Sequence, residues 1–115
     1  MIAKITGTVA EIHEDAITID AVHLGYEVLV PGSLVLRLRQ HAAVGSELTL
    51  HTLEYLEGGT AGSALIPRLV GFLDPLDREF FRLLTSVKGL GARKALKSLT
   101  IPTSRFAKEI GRAHV

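Results

Sequence analysis

The residues best suited to chemistry in this chain run from Phe81 to Lys97: Phe81-Arg82-Leu83-Leu84-Thr85-Ser86-Val87-Lys88-Gly89-Leu90-Gly91-Ala92-Arg93-Lys94-Ala95-Leu96-Lys97. A hydrophobic helical run, a Gly-x-Gly step with an apolar residue between the glycines, and a second run with two early basic residues spell a helix-hairpin-helix. Glycine lets such a turn take conformations barred to bulkier residues and lets backbone approach a ligand closely. The amides of Gly91 and Ala92 would sit at the open start of the second helix, where unpaired donors and the positive dipole end favour a phosphate. Arg93 and Lys94 add full charges beside those partial ones. Lys88 and Lys97 are placed to neutralise neighbouring phosphates, and Leu90 would lock the hairpin into the helix interface. This chemistry reads backbone rather than bases, so it predicts sequence-independent, salt-sensitive binding of a polyanion. The plainer reading of the same residues is a glycine that ends a helix in a left-handed cap and binds nothing.

Charge supports the first reading. The net charge of +1 hides a division: residues 1–79 hold eleven acids against five Lys/Arg, whereas residues 80–108 hold seven Lys/Arg and no acid. Such asymmetry fits a polyanion-facing module on an acidic body, or else a solvated basic helix pair. Other chemistries find little footing. The chain has no cysteine, so no disulfide, thiolate nucleophile or cysteine-built metal site is available. The histidines at 13, 23, 41, 51 and 114 lack short metal-ligand spacing, and no metal or cofactor is expected. Asp74, Asp77 and Glu79 fall in the first turn of a helix, where the dipole alone explains them. No Gly-x-x-x-x-Gly-Lys-Ser/Thr run is present, so nucleotide hydrolysis would have to come from a partner, and no catalytic residue is assigned. Tyr26 and Tyr55 could stack bases on a sheet face, but in an acidic body with 5% aromatics they read as packing residues.

The elements that must carry the hairpin follow from periodicity. Apolar residues make up 47% of the 115 residues, a globular composition. Ile5-Gly7-Val9, Ile17-Ile19 and Tyr26-Val28-Val30 alternate with polar neighbours, with turn chemistry at His13-Glu14-Asp15 and His23-Leu24-Gly25; together they predict a three-stranded meander. Pro31-Gly32-Ser33 ends it, and Ser33 is a candidate cap for a helical stretch from Leu34 to Gln40. Glu47–Leu56 and Arg68–Phe72 give two further strands across a small, flexible segment from Glu57 to Ala64. Five strands with one helical interruption predict a mainly β fold with α, a Greek-key barrel of the OB type, with a sandwich as the competing arrangement. After Phe72 the period changes. Asp74 is a candidate N-cap, Pro75 suits the first helical position, and Leu76, Phe80, Leu83, Leu84 and Val87 recur at helical spacing. A second helix runs from Ala92 through Leu99, and Thr103 could cap a third after Pro102. The expected division is a barrel over 1–73, a helix-hairpin-helix module over 74–108, and a non-native or disordered tail over 109–115, whose Glu-Ile-Gly-Arg-Ala-His-Val run has the look of an adapter scar. The N-terminus lacks the basic start and continuous apolar stretch of a signal peptide, and no run approaches the ~20 apolar residues of a membrane span. A soluble, cytoplasmic protein is expected.

Landmarks in order along the chain carry a resemblance: Met1-Ile2, Gly7, Gly25-Tyr26-Glu27-Val28 with Val30-Pro31 after it, Leu50-His51-Thr52, Gly71-Phe72, Arg78-Glu79-x-Phe81 and Val87-x-Gly89-Leu90-Gly91. Together, from residue 1 to about 108, they resemble RuvA, the bacterial family of Holliday-junction-binding subunits of the branch-migration machinery. The resemblance implies an OB-fold domain that assembles with fourfold symmetry, two helix-hairpin-helix motifs that grip junction arms through the minor-groove backbone, and a helical domain that recruits the RuvB motor. It gives Gly89, Leu90, Gly91, Ala92, Arg93 and Lys94 the phosphate-binding role of the first hairpin, and so implies a homotetramer on branched DNA, active in recombination and repair. Two departures stand out. The family's pair of acids after the fourth strand, a pin that repels phosphate at the junction centre, is reduced here to Glu57, followed by an insertion without an acid up to Arg68. The second hairpin and the motor-recruiting domain have no counterpart in these residues. Two other readings stay open: a single-strand-binding OB module, and an inactive truncated fragment.

Overall fold

Alternating side chains turn the first 72 residues into a sheet that closes on itself. The computed structural model describes residues 1–58, 64–87 and 90–99. Within them lie β1 (Lys4–Ile12), β2 (Ala16–Ala21), β3 (Leu24–Leu29), α1 (Gly32–Gln40), β4 (Glu47–Glu57), β5 (Ile66–Phe72), α2 (Pro75–Val87) and α3 (Ala92–Ser98). The strands form a closed barrel in the order β1-β2-β3-β5-β4. β1 pairs with β4 through Lys4 to Thr8 and with β2 through Thr8 to Ile12, and a bulge between Val9 and Glu11 bends it from one partner to the other. A short parallel contact, Val28 with Leu69 and Leu29 with Val70, closes the ring. This is the OB-type barrel, with α1 in the connection between β3 and β4.

Period-two alternation sorts the apolar residues into two cores. Ile5, Val9, Ile17, Ile19, Val28, Val30, Leu48, Leu50 and Leu69 fill the barrel, and Leu34, Val35 and Leu38 of α1 pack into the same cluster. Their neighbours Ala16, Leu29, Leu53, Val70 and Phe72 point the other way, where Phe81 of α2 and Ala95 and Leu96 of α3 cover them. Phe72 and Phe81 are tilted ring pairs with centroids 5.2 Å apart. The helical segment is therefore held on the barrel by a hydrophobic patch of its own. Asp74 caps α2 as expected, its Oδ1 accepting the Leu76 amide at 2.7 Å, and Pro75 opens the helix. Arg78 adds a tie from α2 to the Ala3 carbonyl at 3.0 Å.

Three local expectations change. Ser33 does not cap α1: the helix begins at Gly32 after Pro31, which carries the cap geometry without a side-chain bond, and the Ser33 hydroxyl donates instead to the Leu99 carbonyl at 3.1 Å. The turn between β2 and β3 falls on Val22-His23, with Gly25 already paired to Asp20 inside β3. Both turn residues have positive φ, +48° and +68°, the two-residue hairpin turn whose twist matches the strands. The β4–β5 ribbon is also longer than alternation suggested, with pairing out to Glu57 and Ile66. Lys88, Gly89, the third helix expected after Pro102 and the tail over 109–115 lie outside the described residues.

Candidate nucleic-acid interface

The hairpin residues that are described gather beside the end of β4. Gly91 precedes α3 with φ −64° and ψ 149°, and its carbonyl accepts the Ala95 amide at 2.9 Å. That backbone is open to any residue, so Gly91 is not needed for a left-handed turn. A Cβ built there would meet nothing within 4 Å, so the space beside Gly91 is open. Leu90 packs as a partly buried side chain against the cluster of Phe72, Phe81, Ala95 and Leu96. Lys94 is exposed and, with Gly91, Ala92 and Arg93 on one side and Tyr55, Leu56, Glu57 and Gly58 on the other, lines an open groove of about 400 Å³. Lys97, also exposed, borders a second hollow of about 260 Å³ with Glu14, Asp15 and Gly32. Lys94 and Lys97, three residues apart on one helix, are surface neighbours.

Arg93 is placed differently from the two lysines. Its Nε donates to Glu57 Oε2 at 2.7 Å and its Nη2 to Glu57 Oε1 at 3.1 Å, while Nη1 reaches Asp15 Oδ2. Glu57, the residue expected as a pin, also accepts Arg68 Nε on Oε1 and the Tyr55 hydroxyl on Oε2, both at 3.0 Å. Four donors thus meet the two oxygens of one carboxylate, about its full acceptor capacity. The Arg93 guanidinium beside it, against a smaller opposing effect of burial, holds the Glu57 carboxyl down at about 2. Partial burial, with the bond to Glu57, pushes the Tyr55 hydroxyl up to about 12. The charge of Glu57 is thereby shared between two guanidinium groups. Long-range pairing of this kind leaves no trace in local sequence, because Asp15, Glu57 and Arg93 stand far apart along the chain.

Tyr26 packs against the barrel core, and Tyr55 is half-buried with its hydroxyl engaged. His13 shares a hydrogen bond with Thr18 at 2.9 Å, and His41 lies 3.0 Å from the Arg37 carbonyl. Among the described residues, no three His, Asp or Glu side chains gather as a metal site. Among the same residues, no helix is long and apolar enough to cross a membrane.

Residues 1–57 match the family described as RuvA N terminal domain. A Holliday junction branch migration complex subunit RuvA from Rhodopirellula baltica is 40% identical over 107 residues, covering 93% of this chain and 51% of that protein. Proteins of the same name from Saccharophagus degradans and Nitrosomonas eutropha are each 34% identical, over 108 and 100 residues, covering 94% and 87% of this chain. The chain spans about half the length of the curated relatives it matches. The barrel, the helical segment on its outer face and the extent of these matches make the chain a member of the RuvA family.

Proposed function

We propose that this chain binds four-way DNA junctions as a non-catalytic, cytoplasmic subunit for branch migration in recombination and repair. The observation that carries the reading is the open groove at the start of α3, with Lys94 on its rim and no side chain on Gly91 to obstruct it. In this reading the first amides of α3 receive a backbone phosphate, Lys94 supplies the charge, and Lys88 and Lys97 meet neighbouring phosphates. One such grip is weak. Fourfold assembly of the chain would set several hairpins on one junction, each acting at high effective concentration once the first is seated. The motor that moves the strands is RuvB in the family; the domain that recruits it has no counterpart in these residues, so the reading covers junction binding and assigns no catalytic residue.

The reading is tested by titrating a fluorescent four-way junction with the 115-residue chain across a salt series, beside Lys94→Ala/Lys97→Ala. Each lost phosphate contact lowers the slope of log affinity against log salt by roughly 0.9. The double variant is expected to bind more weakly, with a slope smaller by nearly two contacts for each hairpin engaged on the junction. Equal affinity and slope for the two proteins would overturn the hairpin grip.

A further inference from the structure

Arg93 belongs by position with the phosphate-binding lysines, and by contact with the barrel. Its guanidinium joins three separate pieces of the fold: α3 itself, the β1–β2 turn through Asp15, and the end of β4 through Glu57. Arg68 on β5 and the Tyr55 hydroxyl also donate to the Glu57 carboxylate, so the acceptor is held by groups other than Arg93. Both Glu57 oxygens take a guanidinium nitrogen, the two-pronged geometry that only arginine can offer. Single exposed ion pairs contribute little, but a two-pronged contact inside a network of five charged side chains, Glu27 on Arg68 included, is the recognised exception. Glu57 is also the better sheltered partner, its side chain 27% exposed against 52% for Asp15.

We propose that Arg93 is a positioning residue rather than a phosphate ligand: with Glu57 and Asp15 it forms a clasp that fixes α3, and hence the hairpin, at one angle on the barrel. The clasp gives Glu57 a task other than repelling phosphate. It also assigns the direct contacts with DNA to Lys94, Lys97 and the backbone. In a symmetric assembly, the angle of each hairpin decides whether all of them meet the arms of one junction together. The inference rests on the proposed junction binding for its consequence, but the clasp itself is testable without DNA.

Three substitutions separate a clasp from a ligand. Arg93→Lys keeps the charge and loses the fork, Arg93→Gln loses both, and Glu57→Gln removes a negative charge from the rim of the groove. None of the three empties the hydrophobic cores. In free protein, hydrogen exchange of amides 92–98 is expected to speed up about tenfold in all three, the scale of one charge-assisted hydrogen bond, while β1–β3 keep their protection. Junction affinity should fall in all three with the salt slope unchanged. Wild-type exchange in Arg93→Lys and Glu57→Gln would overturn the clasp. So would wild-type junction affinity in Arg93→Lys, tighter binding by Glu57→Gln, or a slope lowered by about 0.9 for each engaged hairpin in Arg93→Gln, the outcomes a phosphate ligand requires. If the wild-type chain binds no junction at all, the proposed function fails, and the exchange data still decide the clasp.

Discussion

Replacing Phe81 by alanine should release the helical segment from the barrel without opening the barrel. Phe81 is 4% exposed and belongs to the outer hydrophobic cluster with Phe72, Ala95 and Leu96, while the barrel interior is filled by a separate set of residues. Truncating a buried phenylalanine costs ~3–5 kcal/mol, the sum of lost transfer free energy and the cavity left behind. The tilted pairing with Phe72 at 5.2 Å argues for the middle of that range or above. At about 1.4 kcal/mol per factor of ten, docking of α2 and α3 weakens by roughly a thousandfold. Native-state hydrogen exchange reads this directly. Amides of α2 and α3 should lose protection together, those of β1–β3 should keep most of theirs, and Phe81→Leu should fall between, at under about 1.5 kcal/mol. A loss below about 1 kcal/mol, or equal loss of protection in β1–β3, would refute the assignment of Phe81 to a docking patch separate from the barrel core.

Other outcomes follow from single positions. Val22 and His23 hold positive φ in the β2–β3 turn, a conformation that costs non-glycine residues about 1–2 kcal/mol each, so Val22→Asn/His23→Gly should raise the melting temperature; an unchanged or lower value counts against the turn assignment. A Cβ on Gly7 would fall on the Asp20 carbonyl and 2.6 Å from Ile19 Cγ2, so Gly7→Ala should cost about 1–3 kcal/mol or more in urea unfolding, and a neutral effect would contradict the β1–β2 pairing at that point. Glu57 titrates at about 2 in the folded protein against 4.5 ordinarily, so its contribution is complete above pH 4.5 and is lost as pH falls toward 2. Protection of α3 amides should decline across that window in the wild type and not in Glu57→Gln, and matching pH profiles would contradict the pairing.

Short-range patterns are legible in the sequence, and long-range ones are not. Alternation from Lys4 to Phe72 exposed the strands because each has one face in a core, and the switch to helical spacing at Asp74-Pro75 marked α2 because caps are local chemistry. Turn chemistry points to His23-Leu24-Gly25 rather than Val22-His23 because glycine is the usual carrier of positive φ, and here the hairpin twist imposes it on two side-chain-bearing residues instead. Ser33 looked like a cap because Ser favours that position, but a carbonyl of Leu99 competes for its hydroxyl from 66 residues away. Arg93 presents the same difficulty at the candidate site. Its sequence neighbours are lysines and glycines, and its partners in space are carboxylates from β4 and the β1–β2 turn. Local composition therefore grouped it with the phosphate-facing cations, and only the closed barrel brings Asp15 and Glu57 to it.

The most direct test of the account is a comparison of binding to a four-way junction and to a linear duplex with the same arms, measured by fluorescence anisotropy with the 115-residue chain across a salt series. Hairpins that grip phosphates from several chains at once predict tighter binding to the junction, with a preference that shrinks as salt rises and disappears in Lys94→Ala/Lys97→Ala. Equal, weak binding to both DNAs that ignores the lysine substitutions would contradict it.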